Sequence, residues 1–358
     1  MTLDDKMKTP GGFTTGFDYL RIILSVSVLV FHSIALSSGS DTFVWAGPFR
    51  FLPASILPMF FALSGFLVTG SLKRVQLHQF VMLRILRLIP ALAVEVALSA
   101  LLIGPIVTTI PLSAYYTDHL VWKYFLNIIG SIHYFLPGVF ADNPAPGVMN
   151  GQLWTIPFEL ESYLSLTILS ILTVVRRRFW FAMAVIGTCL VATTFVNVNH
   201  TGQAFDNNLP GRMLVLSFLA AVVVYLYRDK LPFSNMAGVV SMVISMAMLE
   251  YPQLCYLAPL PIAYATVWLG LMRPPSIPFG DLSYGVYLFH FPVEQTLVHY
   301  FPSIQTWWQL TAVALPITAL FAWLSWTVIE HPVLQRKKQA LALSDRLMNT
   351  AGLRTKFG

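Results

Sequence analysis

Ten runs of mostly apolar residues recur along the chain, near 17–38, 53–72, 86–110, 153–175, 179–198, 210–227, 233–250, 254–272, 283–301 and 308–330. A helix that crosses a membrane needs about 20 such residues, because the hydrocarbon core is about 30 Å thick and the helix rises about 1.5 Å per residue. The runs are continuous and lack the ten-residue alternation of barrel strands, so helices are expected. Only 11% of the 358 residues are charged and 56% are hydrophobic. A soluble domain carries about 25% charge, and a chain this apolar could not cover a surface facing water. The expected fold class is all-α, a polytopic membrane protein with about ten transmembrane helices.

The basic residues set an orientation. With a cytoplasmic N-terminus, 19 of the 22 lysines and arginines fall on the cytoplasmic side, and only Arg50, Lys123 and Arg212 fall outside. The positive-inside rule supports this arrangement, with both termini cytoplasmic. The same count checks the number of spans, since one missed helix would swap the side of every later cluster. Residues 1–16 are polar, and the first apolar run has no small-residue cleavage site, so the first helix is expected to remain as an anchor. Residues 1–335 read as one transmembrane domain and 336–358 as a basic cytoplasmic tail drawn to anionic lipid. Two outer segments, 39–52 and the longer 111–152, join spans, and the piece VWKYFLNIIGSIHYF is amphipathic enough to lie at the interface. A net charge of +6 is explained by this distribution rather than by nucleic acid as a partner.

Cys189 and Cys255 lie in or beside different apolar segments and read as packed free thiols. No Cys-x-x-Cys metal spacing and no Gly-rich phosphate loop is present, so no metal is expected. The chemistry must come from the few ionisable groups inside the apolar runs. His32 lies eleven residues beyond Arg21 on the first run, about 16 Å along a helix and so near the bilayer middle. An ionisable group at that depth is costly and usually has a task, and histidine is the natural base near neutral pH. Glu159 enters from the outer side and lies about 9 Å into the core, so it could meet His32 as an orienting carboxylate. Glu161, two residues on, faces elsewhere, and Glu159 is the chosen partner.

Arg84 and Arg87 are three apart, on one helix face at the cytoplasmic entry of the third run. With Arg21 they form a candidate anion cluster, since the guanidinium fork suits phosphate. His290 carries Tyr284 and Tyr287 at helical spacing and reads as a second polar stripe. Glu330, at the inner end of the last run, is expected to pair with the cytoplasmic arginines, and Ser64 reads as a small packing residue rather than a nucleophile.

These residues fall in an order that resembles the integral-membrane acyltransferase-3 family. The likeness covers nearly all of residues 13–335. It rests on Phe17-Asp18-Tyr19-Leu20-Arg21 with His32 following, PMFFALSGFLV, Arg84-x-x-Arg87 with Pro90, NGQLWTIPFELESYL, LSYGVYLFHFPV and Ile329-Glu330-His331-Pro332. The departures, Asp18-Tyr19 for Asp-Gly and Ile156-Pro157 before Glu159, touch no ionisable residue. The resemblance implies a membrane O-acyltransferase that moves an acetyl group from acetyl-CoA to a hydroxyl of an extracytoplasmic or lipid-linked glycan, in a bacterial inner (plasma) membrane. It implies His32, Glu159 and Arg21 as catalytic residues. Arg84, Arg87, Arg21, His290 and Tyr287 are the candidates for holding the donor. The rival is a proton-coupled transporter or flippase built on the same mid-membrane His and Glu, against which stands the absence of an internal repeat.

Overall fold

The computed structural model describes residues 1–9, 15–40, 44–45, 47–199, 209–277 and 280–350. The tail beyond Thr350, with Arg354 and Lys356, lies outside the described residues, as do 41–43 and 46 of the first outer segment. The principal helices are α1 (Leu3–Lys8), α2 (Thr15–Ser38), α3 (Phe51–Leu72), α4 (Leu77–Leu98), α5 (Ile156–Ile171), α6 (Arg178–Asn199), α7 (Gly211–Leu226), α8 (Asn235–Glu250), α9 (Pro259–Gly270), α10 (Ser283–Tyr300), α11 (Trp307–Ser325) and α12 (Lys337–Thr350). Each of the ten apolar intervals therefore holds a helix. Among the described residues, five stretches are long and apolar enough to cross a membrane: Thr15–Ser38, Phe51–Leu72, Leu77–Val107, Arg178–Phe195 and Trp307–Gln335. Among the described residues, extended pairing is limited to isolated bridges such as Phe135 with Val148. Large apolar side chains such as Trp180, Val191, Val243 and Val328 are exposed, as expected for faces turned to lipid rather than water.

The chain divides into two compact units. The first comprises Met1–Leu24, Thr42–Val75 and Phe158–Pro278. Its centre is the close approach of α3 to α7. A Cβ on Gly65 would lie 2.2 Å from the Phe218 carbonyl oxygen, so only glycine lets the two backbones meet here. Phe17 stacks on Phe66 with ring centroids 5.7 Å apart. At the polar end of this unit, Asp4 of α1 pairs with Lys8 at 2.6 Å and with Arg228 at 2.8 Å. Cys189 and Cys255 are free and buried, as the sequence suggests.

The second unit comprises Ser25–Asp41, Gln76–Pro157 and Phe279–Gly358. Its apolar core joins Leu36 of α2, Phe291, Leu297 and Val298 of α10, and Leu310 and Ala314 of α11. Beyond Leu98, α4 runs through a π-turn at Ser99–Ile103 into the short helix Gly104–Val107. Likewise α11 passes through a π-turn at Trp326–Glu330 into His331–Gln335. The 111–152 segment folds as short helices, Leu112–Thr117 and His119–Tyr124, with Val121 and Tyr124 buried and Trp122 and Ile129 exposed. Residues 337–350 are a helix rather than a loose tail. Asp345 of α12 accepts hydrogen bonds from His78 at 2.7 Å and Gln79 at 2.9 Å, on the first turn of α4.

Candidate active site

The polar residues of the second unit collect along one stripe of α10. Pro292 interrupts that helix and has no N–H, so the carbonyl of Leu288, four residues earlier, loses its helical donor. Gln152 fills the gap, its Nε2 donating to Leu288 O at 2.7 Å. One residue back, the Tyr287 hydroxyl donates to the Gln152 carbonyl at 2.8 Å and lies 2.5 Å from Thr155 Oγ1. Tyr284 donates to the Leu88 carbonyl of α4 at 2.8 Å. Farther along, Gln295 Nε2 donates to the carbonyls of Ala145 and Val148, 2.8 Å each, and so pins the 138–150 stretch to α10.

His290 sits in the middle of this stripe, fully buried. Its Nε2 lies 2.7 Å from Nδ1 of His32, and the two rings stack with centroids 5.0 Å apart. The polarity of this contact follows from the other side of the His290 ring. There Nδ1 lies 2.8 Å from the Tyr287 carbonyl and 3.1 Å from that of Val286, and carbonyls can only accept. His290 Nδ1 therefore carries the hydrogen, and in the neutral ring Nε2 is the acceptor. The proton between the two rings then belongs to His32 Nδ1. This assigns the tautomer from its partners and leaves Nε2 of His32 as the nitrogen with a lone pair. The ring is further fixed by the edge of Phe291, centroids 5.2 Å apart.

A carboxylate stands one turn beyond. Glu294 is fully buried and accepts from Ser33, the residue after His32, at 2.5 Å. A second buried carboxylate, Glu95 of α4, accepts from Ser99 at 2.6 Å and from the side-chain amide of Asn150. That amide also reaches the Tyr124 hydroxyl at 2.7 Å. Gln152 Nε2 lies 3.3 Å from Asn150 Oδ1, which links this group back to α10. Among the described residues, no group of three or more His, Cys, Asp or Glu is arranged to hold a metal ion.

The predicted site residues separate as follows. His32 and His290 meet directly, so the group bonded to Nδ1 of His32 is an imidazole. Glu159 lies in the first unit and accepts from Tyr163 at 2.5 Å, while Glu161 is exposed. Arg21 lies in the first unit too, 3.5 Å from Asp18. Arg84 and Arg87 are on α4 in the second. The Arg84 guanidinium stands over the Phe80 ring at 5.8 Å. Arg87 is gripped by Asp281 at 2.7 Å and Glu330 at 2.8 Å, which is the ion pair expected for Glu330. With Glu330 only 3% exposed, that pair supplies the countercharge a buried carboxylate requires.

Sequence reasoning missed Glu95, Asn150, Gln152, Glu294 and Ser33. Glu95 had a signal, being the sole charge in ALAVEVALSA, and Glu294 is one turn after His290 on the same helix face. Asn150 and Gln152 stand inside the NGQLWT motif but carry no charge to mark them.

Known proteins resemble the chain over nearly its whole length. The family model described as an acyltransferase domain matches residues 14–329. The O-acetyl transferase of Shigella phage Sf6 is 26% identical over 361 residues, covering 91% of this chain and 98% of that protein. Nodulation protein 10 of Rhizobium leguminosarum bv. viciae is 27% identical over 367 residues, covering 92% and 96%. No solved structure matches.

Proposed function

This chain belongs to the acyltransferase-3 family and is a membrane O-acyltransferase, and on that premise we propose that it moves an acetyl group from acetyl-CoA to a hydroxyl of an extracytoplasmic or lipid-linked glycan. The observation that carries the mechanism is the polarity of the 2.7 Å bond between the two histidines. Nε2 of His32 takes the hydroxyl proton. The alkoxide oxygen attacks the thioester carbon, the C–S bond breaks, and the departing CoA thiolate collects the proton from His32. The same lone pair permits a brief acetyl-imidazole route. His290 serves by holding His32 Nδ1–H, which fixes the ring and leaves the imidazolium with a hydrogen-bond acceptor. That is a positioning role rather than the donor-binding role suggested by the sequence.

Acetyl-CoA approaches from the cytoplasmic side under the ten-span, N-in topology. Its phosphates meet Arg84 on α4. Arg87, already held by two carboxylates, braces α4 against the start of α10 and the end of α11. Tyr287 shapes the same wall through Gln152 and Thr155. Glu159 balances charge on the outer side. The protein works in a bacterial inner membrane, with α12 and the basic tail on the anionic lipid surface.

Acetyl-CoA consumption by the purified protein in lipid nanodiscs, wild type beside His32→Ala, tests the reading. Turnover or transfer to glycan that vanishes in a folded His32→Ala supports it. Near-normal turnover in that variant removes His32 as the base. A folded wild type that neither binds nor consumes acetyl-CoA returns the transporter reading.

A further inference from the structure

Two oxygens of the polar group around Asn150 lack a donor. Glu95 Oε2 and Gln152 Oε1 have no hydrogen-bond partner among the described residues, and their side chains are 1% and 0% exposed. The other end of each side chain is fully engaged. Glu95 Oε1 accepts from Ser99 and Asn150, and Gln152 Nε2 donates to Leu288 O and reaches Asn150 Oδ1. Each side chain is thus anchored by one atom while a second, an acceptor in both cases, is buried without a donor. Buried acceptors left without donors are costly and rare in native proteins. Neither an alkyl chain nor an anion, which offers only acceptors, would relieve them. A neutral compound rich in hydroxyls supplies what both oxygens lack.

Their place on the helices separates the two substrates. Glu95 is eight residues beyond Arg87 on α4, about 12 Å along the axis, at the end that leads into the 111–152 segment. The proposed phosphate-binding arginine, Arg84, is at the opposite end. Gln152 in turn is bonded to Tyr287 and Leu288, the residues that lead directly to His290. We infer that Glu95 and Gln152 bind hydroxyl groups of the acyl acceptor, a neutral sugar, and present it to the histidine pair. The inference rests on the O-acetyl transfer reading above and names its second substrate's binding groups.

The test measures sugar binding without turnover, so it fails or succeeds apart from the His32 experiment. The full-length protein in nanodiscs is titrated with a panel of neutral methyl hexosides and their monodeoxy derivatives by saturation-transfer NMR, and separately with CoA. Glu95→Gln keeps the Oε1 bonds to Ser99 and Asn150 but puts a donor where the ligand must donate. Wild type should bind at least one hexoside saturably, with selective loss for particular deoxy derivatives. Glu95→Gln should weaken that hexoside by about tenfold or more, the loss expected for one hydrogen bond to a charged group, and leave CoA binding unmoved. Gln152→Met makes the same comparison if Glu95→Gln does not fold. No saturable hexoside binding by wild type overturns the inference. So does an unchanged hexoside affinity in the variants, which would mean that internal water serves these oxygens. Equal weakening of hexoside and CoA overturns it as well.

Discussion

Replacing His290 with alanine separates a positioning role from a donor-binding one. The change removes the acceptor for His32 Nδ1–H, which lies 2.7 Å away. A buried donor left unpaired costs roughly 1–3 kcal/mol, and at about 1.4 kcal/mol per tenfold that lowers kcat by roughly 5- to 150-fold. Removing His32 itself deletes the base, for about 10²- to 10⁴-fold. The two effects pass through one ring, so the double variant His32→Ala/His290→Ala should be no slower than His32→Ala alone. His290→Gln offers a side-chain carbonyl to the same N–H and should recover part of the loss. The assay is initial-rate acetyl transfer in nanodiscs with acetyl-CoA varied, on samples matched for folded protein. A rise in KM for acetyl-CoA with kcat intact would refute the reasoning and restore His290 to the donor site. Additive losses in the double variant would also refute it, because two independent roles would then be required.

Two further outcomes test the scaffold. Gly65→Ala places a Cβ 2.2 Å from the Phe218 carbonyl oxygen, so α3 and α7 must part, at a cost of about 1–3 kcal/mol; an unchanged thermal midpoint would show that the helices are not so close. Asp345 is held below its ordinary value of 3.8 by the hydrogen bonds from His78 and then Gln79. A carboxyl lowered by docking supports that docking fully above 3.8 and loses it as pH falls through the docked value. Hydrogen exchange in 337–350, relative to intrinsic rates, should therefore be slow at neutral pH and rise in acid. Exchange that ignores pH would remove Asp345 as the clasp.

The helices were legible because hydrophobic runs are dictated by length and polarity alone. Each predicted interval holds a helix, and even the Arg87–Glu330 pair could be anticipated, since a buried carboxylate near an arginine has few other fates. The histidine pairing was harder. Rise per residue gives the height of His32 on α2 but not the direction in which its ring points. The contact at His32 Nδ1 is to His290, 258 residues away in sequence. The α10 stripe at Tyr284, Tyr287 and His290 did show in the spacing. What spacing could not reveal is that Pro292 frees the Leu288 carbonyl and that Gln152, a neutral residue in another segment, takes it up.

The two π-turns bear on how chains of this kind tolerate insertion and deletion. Each widens one turn by a residue, at Ser99–Ile103 just past Glu95 and at Trp326–Glu330 ending on the carboxylate that holds Arg87. A chain one residue shorter at either place could wind as an ordinary α-helix there. Everything beyond would then keep its facing, because the widened turn takes up the extra residue without rotating the helix that follows. At 326–330 Glu330 would still meet Arg87. A single-residue gap at this position in a related sequence therefore shortens the chain without changing the charge partner of the arginine.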